Sequence, residues 1–388
     1  MGQSTTFASL LHRDPYGSSM QRDGEREFVP WKIARPYRNS EMSITIELPQ
    51  EIFTVCEKHI VSFDVFKVSA FRYPSGVAAL RIRNDRGEII ALPFQGQQIW
   101  RAGFDGHDLT MKSMFAEPVA TRSYLENYGA FYLHCGLTAV GPPGPEDSHG
   151  LHGELPNAPF QRAWLEVDDS GVSLRGSYEY AMAFAAHYKA TTRAMLRRGS
   201  ALIDVGIRVK NLRRAPMELM YLGHANFRPV DNGELDYSAS YDADSVRVRR
   251  SIPTHINPPP GYAELLQRLA DEPKIHHKLS PAQAYDPEVV FQIEFQAGKN
   301  GKAYSRQIHP DGGMDYIEFD PVVFPNSLRW ICRTPDQDAL GMALPSTSGG
   351  GGRRAEMQGG RFISLNGGGC WEANVRLGRL RHNEWPMA

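Results

Sequence analysis

The 388-residue chain has few cysteines and no long hydrophobic run. Its four cysteines, Cys56, Cys135, Cys332 and Cys370, lie far apart and form no CxxC pair, which excludes zinc-knuckle and thioredoxin-type sites. No stretch approaches the roughly 18 apolar residues that a membrane-spanning helix needs. The N-terminal segment lacks the basic start and apolar run of a secretory signal, so we expect reduced thiols and a cytoplasmic location.

The chain also lacks a surplus of charge of either sign. Lys and Arg number 43 against 44 Asp and Glu, giving a net charge of −1. Such a balance offers no electrostatic attraction to nucleic acid or to an anionic membrane. The sequence contains neither a GxGxxG motif after a strand nor a P-loop, so no nucleotide cofactor is predicted. We expect a small-molecule partner and no cofactor or resident metal.

Helical periodicity is scarce, whereas short strand patterns recur along most of the chain. Residues 43–48 and 203–210 alternate apolar and polar side chains with period two, which is typical of half-buried strands. Asn84 to Gly87 separates two apolar runs and predicts a hairpin. Further strands are predicted at 246–249, 289–293 and 373–377. Turn signals every ten residues or so favour a mainly β fold, a large antiparallel β-sandwich.

Helices are expected to be few and short. Residues 262–270 carry three leucines at helical spacing and predict a two-turn helix in a long loop. Residues 1–41 are polar and without pattern, which favours a partly ordered N-terminal arm. Since no linker divides the remainder, we expect residues 42–388 to form a single β-sandwich domain.

Candidate functional residues concentrate in two polar segments. The first, residues 149–156 (HGLHGELP), follows a proline-rich loop and supplies His149, His152 and Glu154. The second, residues 221–227 (YLGHANF), follows an apolar strand and supplies His224, Asn226 and Phe227. Histidine suits proton transfer or ligand binding near neutral pH, asparagine can both donate to and accept from hydroxyls, and phenylalanine offers a face to a sugar ring. Convergence of the two segments in the fold would create a binding site.

Other polar groups carry weaker signals. Gln98 and Arg101, in residues 94–101 (FQGQQIWR), suit hydroxyl or carboxylate binding, although exposed edge-strand polarity gives the same pattern. For His276-His277 near the predicted helix we expect solvated surface. For His134-Cys135, at the end of an apolar strand, a buried structural pair is favoured over metal ligation.

The order of these motifs resembles the galactose mutarotase-like superfamily, and most of all its mutarotase-related branch of unknown function. The likeness covers roughly residues 45–380. It consists of the HG…P turn at 152–156, a double strand from Gly176 to Asn211, and the H.NF…P turn at 224–229. The resemblance implies a β-supersandwich with a sugar-binding groove and an aldose 1-epimerase-type reaction. In that reaction a histidine protonates the ring oxygen while a glutamate takes the proton of the anomeric hydroxyl, a pairing of general acid and base.

By resemblance, His224 is the candidate acid and His152 holds a neighbouring hydroxyl. The family's glutamate usually precedes a proline near the C-terminal end, but here Leu344 stands in that position, in Gly341 to Pro345. Leucine cannot accept a proton. Asp336 is our candidate replacement, with Glu154, Asp231 and Asp338 as alternatives.

Three functions remain open from the sequence. The first is an aldose 1-epimerase-like isomerase acting on a free sugar or sugar acid. The second is a metal-assisted keto-sugar isomerase or lyase, in which His149, His152, Glu154 and His224 would supply ligands. The third is a sugar-binding protein without catalysis, which the leucine at position 344 favours.

Overall fold

The structure, a computed structural model, describes residues 31–32, 43–252 and 257–385. It consists mainly of antiparallel strands, which confirms the predicted fold class. Most of the predicted arm at 1–41 lies outside the described residues; within it, residues 31–32 pair in parallel with residues 61–62. The single-domain organisation of 42–388 stays a prediction.

The strands share an extended, mostly antiparallel pairing and run in chain order as follows: β1 (Trp31–Lys32), β2 (Ile44–Glu47), β3 (Lys58–Phe63), β4 (Phe66–Arg72), β5 (Ala78–Arg83), β6 (Gly87–Ala91), β7 (Ile99–Phe104), β8 (His107–Asp108), β9 (Tyr132–Leu137), β10 (Arg162–Asp168), β11 (Gly171–Met182), β12 (Ala186–Arg197), β13 (Leu202–Asn211), β14 (Met217–Ala225), β15 (Glu234–Tyr237), β16 (Val246–Val248), β17 (Tyr285–Ile293), β18 (Ala303–Ile308), β19 (Met314–Phe319), β20 (Leu328–Arg333), β21 (Asp338–Leu344), β22 (Ile363–Leu365) and β23 (Cys370–Leu380).

Two α-helices occur among the described residues, α1 (Tyr262–Asp271) and α2 (Arg353–Gln358). Helix α1 confirms the predicted helix, and it buries Leu266 and Leu269 as the leucine spacing requires. Short 3₁₀ turns lie at Gln50–Ile52, Leu125–Asn127, Pro273–His277 and His382–Glu384. In the part of the chain that the structure describes, no helix has the length and apolar character to cross a membrane.

The strands form three sheets. One runs β1-β3-β4-β5-β6-β7-β9-β14-β22, with β8 paired to β7; a second runs β15-β18-β19-β23-β13-β12-β11-β10-β2. The third is smaller, with the order β16-β17-β20-β21. The predicted hairpin is the β5–β6 pair, and the period-two segment at 203–210 lies within β13.

Strand β14 packs against other residues on both of its faces, and this packing determines where His224 lies. Tyr221 and Ala225 pack into the main core, whereas Met220 and Leu222 belong to a second apolar cluster. The second cluster also contains Trp330 of β20 and Leu344 of β21. The four-stranded sheet therefore packs beside β14, and His224 near the end of β14 lies at their junction.

The prediction that His276-His277 is solvated surface is wrong for His276, which is fully buried. Its ring stacks on Phe291 with centroids 4.1 Å apart. Its Nε2 accepts a hydrogen bond of 2.7 Å from the buried guanidinium of Arg329. His276 looks like a surface residue in the sequence because it is polar, but in the fold it occupies a core position next to the buried Arg329. His134, in contrast, is buried as expected, and its Nδ1 lies 2.7 Å from the hydroxyl of Tyr221.

Candidate active site

A cavity of about 90 Å³ lies between β14 and the four-stranded sheet, and both histidine-bearing segments reach it. His152 and His224 line it together with Tyr124, Tyr128 and Trp330. The two imidazole rings meet edge to face, with centroids 5.5 Å apart and planes at 86°. The structure thus brings together the two histidines that the sequence places 72 positions apart.

Aromatic rings pack around both histidines. Tyr124 lies 4.9 Å from His152, measured between ring centroids. Tyr128 and Trp330 lie 5.7 and 5.5 Å from His224 in edge-to-face contacts. An apolar wall with a few convergent polar groups is the usual composition of a small-molecule site.

Asn226 fixes the tautomer of His224. The Nδ2 of Asn226 donates to the carbonyl of Ala130 at 2.9 Å, so its Oδ1 points towards His224. That oxygen accepts from Nδ1 of His224 at 2.7 Å and from the Tyr128 hydroxyl at 3.2 Å. The neutral imidazole therefore carries its proton on Nδ1 and a lone pair on Nε2. Burial lowers the pKa of His224 to about 4, opposed in part by the Asn226 hydrogen bond.

The opposite tautomer is favoured at His152. Its Nδ1 accepts from the backbone N–H of Gly141 at 3.3 Å, so the proton of the neutral ring resides on Nε2. His152 adopts a φ of 59°, and the next residue, Gly153, has a φ of 79°. A Cβ on Gly153 would lie 2.6 Å from the carbonyl oxygen of Ala139, so the tight turn that aims His152 requires glycine.

A carboxylate that the sequence patterns do not single out, Glu288, also lines the cavity. It precedes the predicted strand 289–293, in an irregular stretch of β17. One carboxylate oxygen accepts from the indole N–H of Trp330 at 2.7 Å, and the other from Arg249 at 2.5 Å. Among the described residues that line the cavity, Glu288 is the only acidic one.

Leu344 lies on the cavity wall as well, with 3% of its surface exposed. It ends β21 and pairs with Leu328, another wall residue. The position at which the resemblance leads one to expect a carboxylate is therefore at the cavity, and it contributes an isobutyl group.

The other two candidate residues of the first segment, Glu154 and His149, do not line the cavity. The carboxylate of Glu154 accepts from the backbone N–H of Leu137 at 3.1 Å and from the hydroxyl of Tyr188 at 2.6 Å. The His149 ring binds backbone groups, with Nδ1 at 2.8 Å from the Gly150 carbonyl and Nε2 accepting from the N–H of Arg353 in α2 at 3.2 Å. Within the described ranges, no group of three or more His, Cys, Asp or Glu side chains could hold a metal ion.

In the second segment, Asn226 orients His224, and Phe227 is fully buried with its ring 4.9 Å from that of Phe131. The predicted acidic residues lie elsewhere. Asp231 forms an ion pair of 2.7 Å with Arg333, and Asp336 is exposed in the turn between β20 and β21. Neither lines the cavity.

Gln98 and Arg101 hold the segment that carries the two cavity tyrosines, residues 113–131, here called the tyrosine loop. Buried Gln98 donates to the carbonyl of Pro156 at 2.7 Å and accepts from Asn127 of the tyrosine loop at 3.3 Å. Arg101 donates to the carbonyls of Gly129 at 2.7 Å and Phe115 at 3.0 Å. Both side chains thus hold the tyrosine loop and the turn at Pro156 in place, and neither lines the cavity.

Replacing Arg101 with methionine is expected to loosen the tyrosine loop, because backbone carbonyls would lose their charged donor. Bonds to charged donors contribute on the order of 1.5–3 kcal/mol each, so we expect a loss of about 2 kcal/mol or more in unfolding free energy. Hydrogen exchange should also become faster in residues 113–131. The matched control is Arg83→Met, which removes an exposed arginine paired with Glu88. Equal urea midpoints for both variants would refute the supporting role.

Sequence reasoning missed Glu288, Arg249, Trp330 and the two tyrosines. Pro287, directly before Glu288, is a possible signal, since proline within a strand pattern marks an edge or a bulge. The aromatic residues carry no local signal, because their role depends on which strands the fold brings beside β14.

Comparison with known proteins agrees with this architecture. Residues 74–251 match a family model described as Domain of unknown function (DUF4432). No curated protein matches the chain in sequence.

Several solved structures share the fold at low identity. One is a "putative aldose 1-epimerase" from Klebsiella pneumoniae, with a TM-score of 0.72 and 18% identity over 89% of this chain and 93% of that chain. A galactose mutarotase-like protein from Clostridium acetobutylicum gives 0.52 and 14%, covering 81% and 98%. A galactose mutarotase-like protein from Lactobacillus casei gives 0.51 and 14%, covering 78% and 100%. The chain therefore has the antiparallel β-supersandwich fold of the galactose mutarotase-like proteins.

Proposed function

We propose that this protein binds a free sugar or sugar acid in the cavity and interconverts its anomers, as an aldose 1-epimerase-like isomerase. The observation that carries the proposal is the convergence of His152 and His224 in one aromatic-walled cavity with opposite tautomers. The names of the similar structures support the same class of reaction.

The two histidines would have different tasks. His152, with its proton on Nε2, would donate a hydrogen bond to a sugar hydroxyl and so orient the ring. His224 would transfer a proton through Nε2 at the ring oxygen, while Asn226 holds Nδ1–H and keeps the imidazole in place. Opening the ring needs a proton at that oxygen and removal of the proton of the anomeric hydroxyl, so a general acid and a general base act together.

The sugar would lie against the rings of Tyr128 and Trp330, which offer apolar faces to its C–H groups. Since the cavity is walled by aromatic side chains, water would be displaced when the sugar binds, and proton transfer would take place in a low-dielectric setting.

A second candidate function is sugar binding without catalysis. The observation that favours it is Leu344 on the cavity wall, where a base is expected. The two functions differ in one measurable respect, since a binding protein raises its own thermal stability with ligand but leaves the anomer exchange rate of the sugar unchanged.

The test is saturation-transfer NMR of anomer exchange, run on a panel of aldoses and uronic acids with purified protein. We expect acceleration over buffer for at least one sugar, together with a thermal shift from that same sugar. A thermal shift without acceleration would select the binding function. No acceleration and no shift for any sugar on the panel would remove both.

A further inference from the structure

We propose that Glu288 is the general base of this site, displaced across the four-stranded sheet from the position that Leu344 occupies. This inference rests on the proposed anomer interconversion. Glu288 would take the proton of the anomeric hydroxyl, a task for which the sequence supplies only residues outside the cavity.

A bulge in β17 brings Glu288 to the cavity. Tyr285 pairs with Arg333, but the next paired residue is Val289, opposite Ile331. Three residues, 286–288, therefore stand opposite Cys332 alone. Such bulges re-aim side chains and are over-represented next to active sites. Pro287 has no N–H to give to the sheet, so it fits an interrupted ladder.

The backbone and the carboxylate of Glu288 are both held. The hydroxyl of Tyr262 in α1 donates to the Glu288 carbonyl at 2.6 Å. Trp330 and Arg249 each donate to one carboxylate oxygen, at 2.7 and 2.5 Å. Each oxygen keeps a second lone pair for the substrate.

Trp330 links the two proposed proton-transfer groups. Its indole ring contacts His224 edge to face at 5.5 Å, and its N–H binds Glu288. The acid and the base would therefore lie on the same wall, separated by one side chain.

The other acidic candidates are engaged elsewhere. Glu154 binds the backbone of Leu137 and the hydroxyl of Tyr188, and Asp231 and Asp338 both pair with Arg333. Asp336 lies in an exposed turn. None of these four lines the cavity.

Ring opening would move two protons, one to Glu288 and one from His224. The anomeric O1–H proton passes to a carboxylate oxygen of Glu288, and the O1 electron pair forms the carbonyl bond to C1. The C1–O5 bond breaks, its electron pair goes to O5, and O5 takes the Nε2 proton of protonated His224. After rotation about C1–C2 the same transfers run in reverse on the other face of the carbonyl, which restores both side chains.

The test compares Glu288→Gln and Glu288→Asp with wild type. Glutamine keeps the size and one acceptor oxygen, which can serve either Trp330 or Arg249, but it cannot accept the proton. We expect kcat to fall by about 10²- to 10⁴-fold while the sugar Kd stays close to wild type. Aspartate keeps the carboxylate, but its side chain is one methylene shorter, so the carboxylate lies farther from the sugar. Because a misplacement of about 1 Å can cost about 10²-fold in rate, kcat should again fall. Thermal unfolding of each variant is measured in parallel.

The matched control is Glu294→Gln. Glu294 directly follows β17, and its carboxylate forms an ion pair of 2.7 Å with Arg247 of β16. It lies outside the cavity and should keep wild-type kcat. Wild-type kcat in folded Glu288→Gln or Glu288→Asp would overturn the assignment and leave the proposed function intact. Absence of any acceleration by the wild-type protein would instead remove the proposed function itself.

Discussion

Replacing His224 with glutamine is expected to lower kcat/KM for anomer exchange by about 10²- to 10⁴-fold, the usual contribution of a general acid or base. The glutamine amide can still donate to Asn226, so the local hydrogen bonding that orients position 224 is kept. It cannot carry a transferable proton at neutral pH. Chemistry should therefore fail while the fold and sugar binding persist.

The pH dependence gives a second readout of the same residue. Because burial lowers the pKa of His224 to about 4, the protonated form that can act as the acid is a minor species at neutral pH. For wild type, kcat/KM should rise as the pH falls from about 7 to 5.5, since kcat/KM follows the free enzyme's protonation state. The residual rate of His224→Gln should lack that rise.

The control is His187→Gln, which removes a half-exposed histidine paired with Glu179 on the β11–β12 hairpin. Rates and pH profile should match wild type. A folded His224→Gln protein with wild-type kcat/KM would exclude His224 from the reaction. A wild-type profile without that rise would mean that protonated His224 does not act as the acid.

The sequence allowed the fold to be predicted because its strands are half buried. Alternation of apolar and polar side chains is visible at residues 203–210, and the structure places this run within β13. The same logic breaks down in β14, which is covered on both faces and carries an unbroken apolar run from Leu219 to Leu222 shortly before His224. The His-x-Asn pattern at 224–226 predicted a site, but it did not indicate which residues of other strands line the opposite wall of the cavity.

What lies opposite depends on contacts that no local pattern encodes. Glu288 reaches the cavity through a two-residue excess in β17, and Trp330 does so because β20 pairs with β17. Gln98 and Arg101 look like ligand-binding groups in sequence, whereas their hydrogen bonds go to the turn after His152 and to the tyrosine loop. A polar side chain in a loop-rich β protein is as able to satisfy a buried carbonyl as to bind a substrate.

Acidification from pH 7 to pH 4 is expected to destabilise the fold by about 6 kcal/mol through two buried histidines alone. Burial lowers the pKa of His134 to about 3 and that of His224 to about 4, against an ordinary value of 6.5. The unfolded chain binds protons below pH 6.5, whereas the folded chain resists them until about pH 4 or lower. Stability is therefore complete above pH 6.5 and is lost as the pH falls, by about 3 kcal/mol per histidine at pH 4.

His276 acts in the same direction for a reason visible in its contacts. Its Nε2 accepts from the guanidinium of Arg329, and its Nδ1 faces the carbonyl of Pro273. A second proton on this ring would set an N–H against the buried cation, so burial and Arg329 both hold the pKa of His276 well below its usual range. The total loss at pH 4 would then be comparable with the roughly 5–15 kcal/mol by which most domains are stable.

Urea unfolding midpoints measured from pH 7 to pH 4 test this expectation. His134→Gln keeps a hydrogen-bond partner for Tyr221 but cannot titrate, so its stability should fall less on acidification, by about 3 kcal/mol, than that of wild type. His382→Gln, which replaces an exposed histidine near the C-terminus, should show the wild-type pH dependence. Constant wild-type stability across this range would mean that the buried imidazoles accept protons without loss of the fold. The neutral state of the buried His224, on which its assigned tautomer depends, would then have to be abandoned.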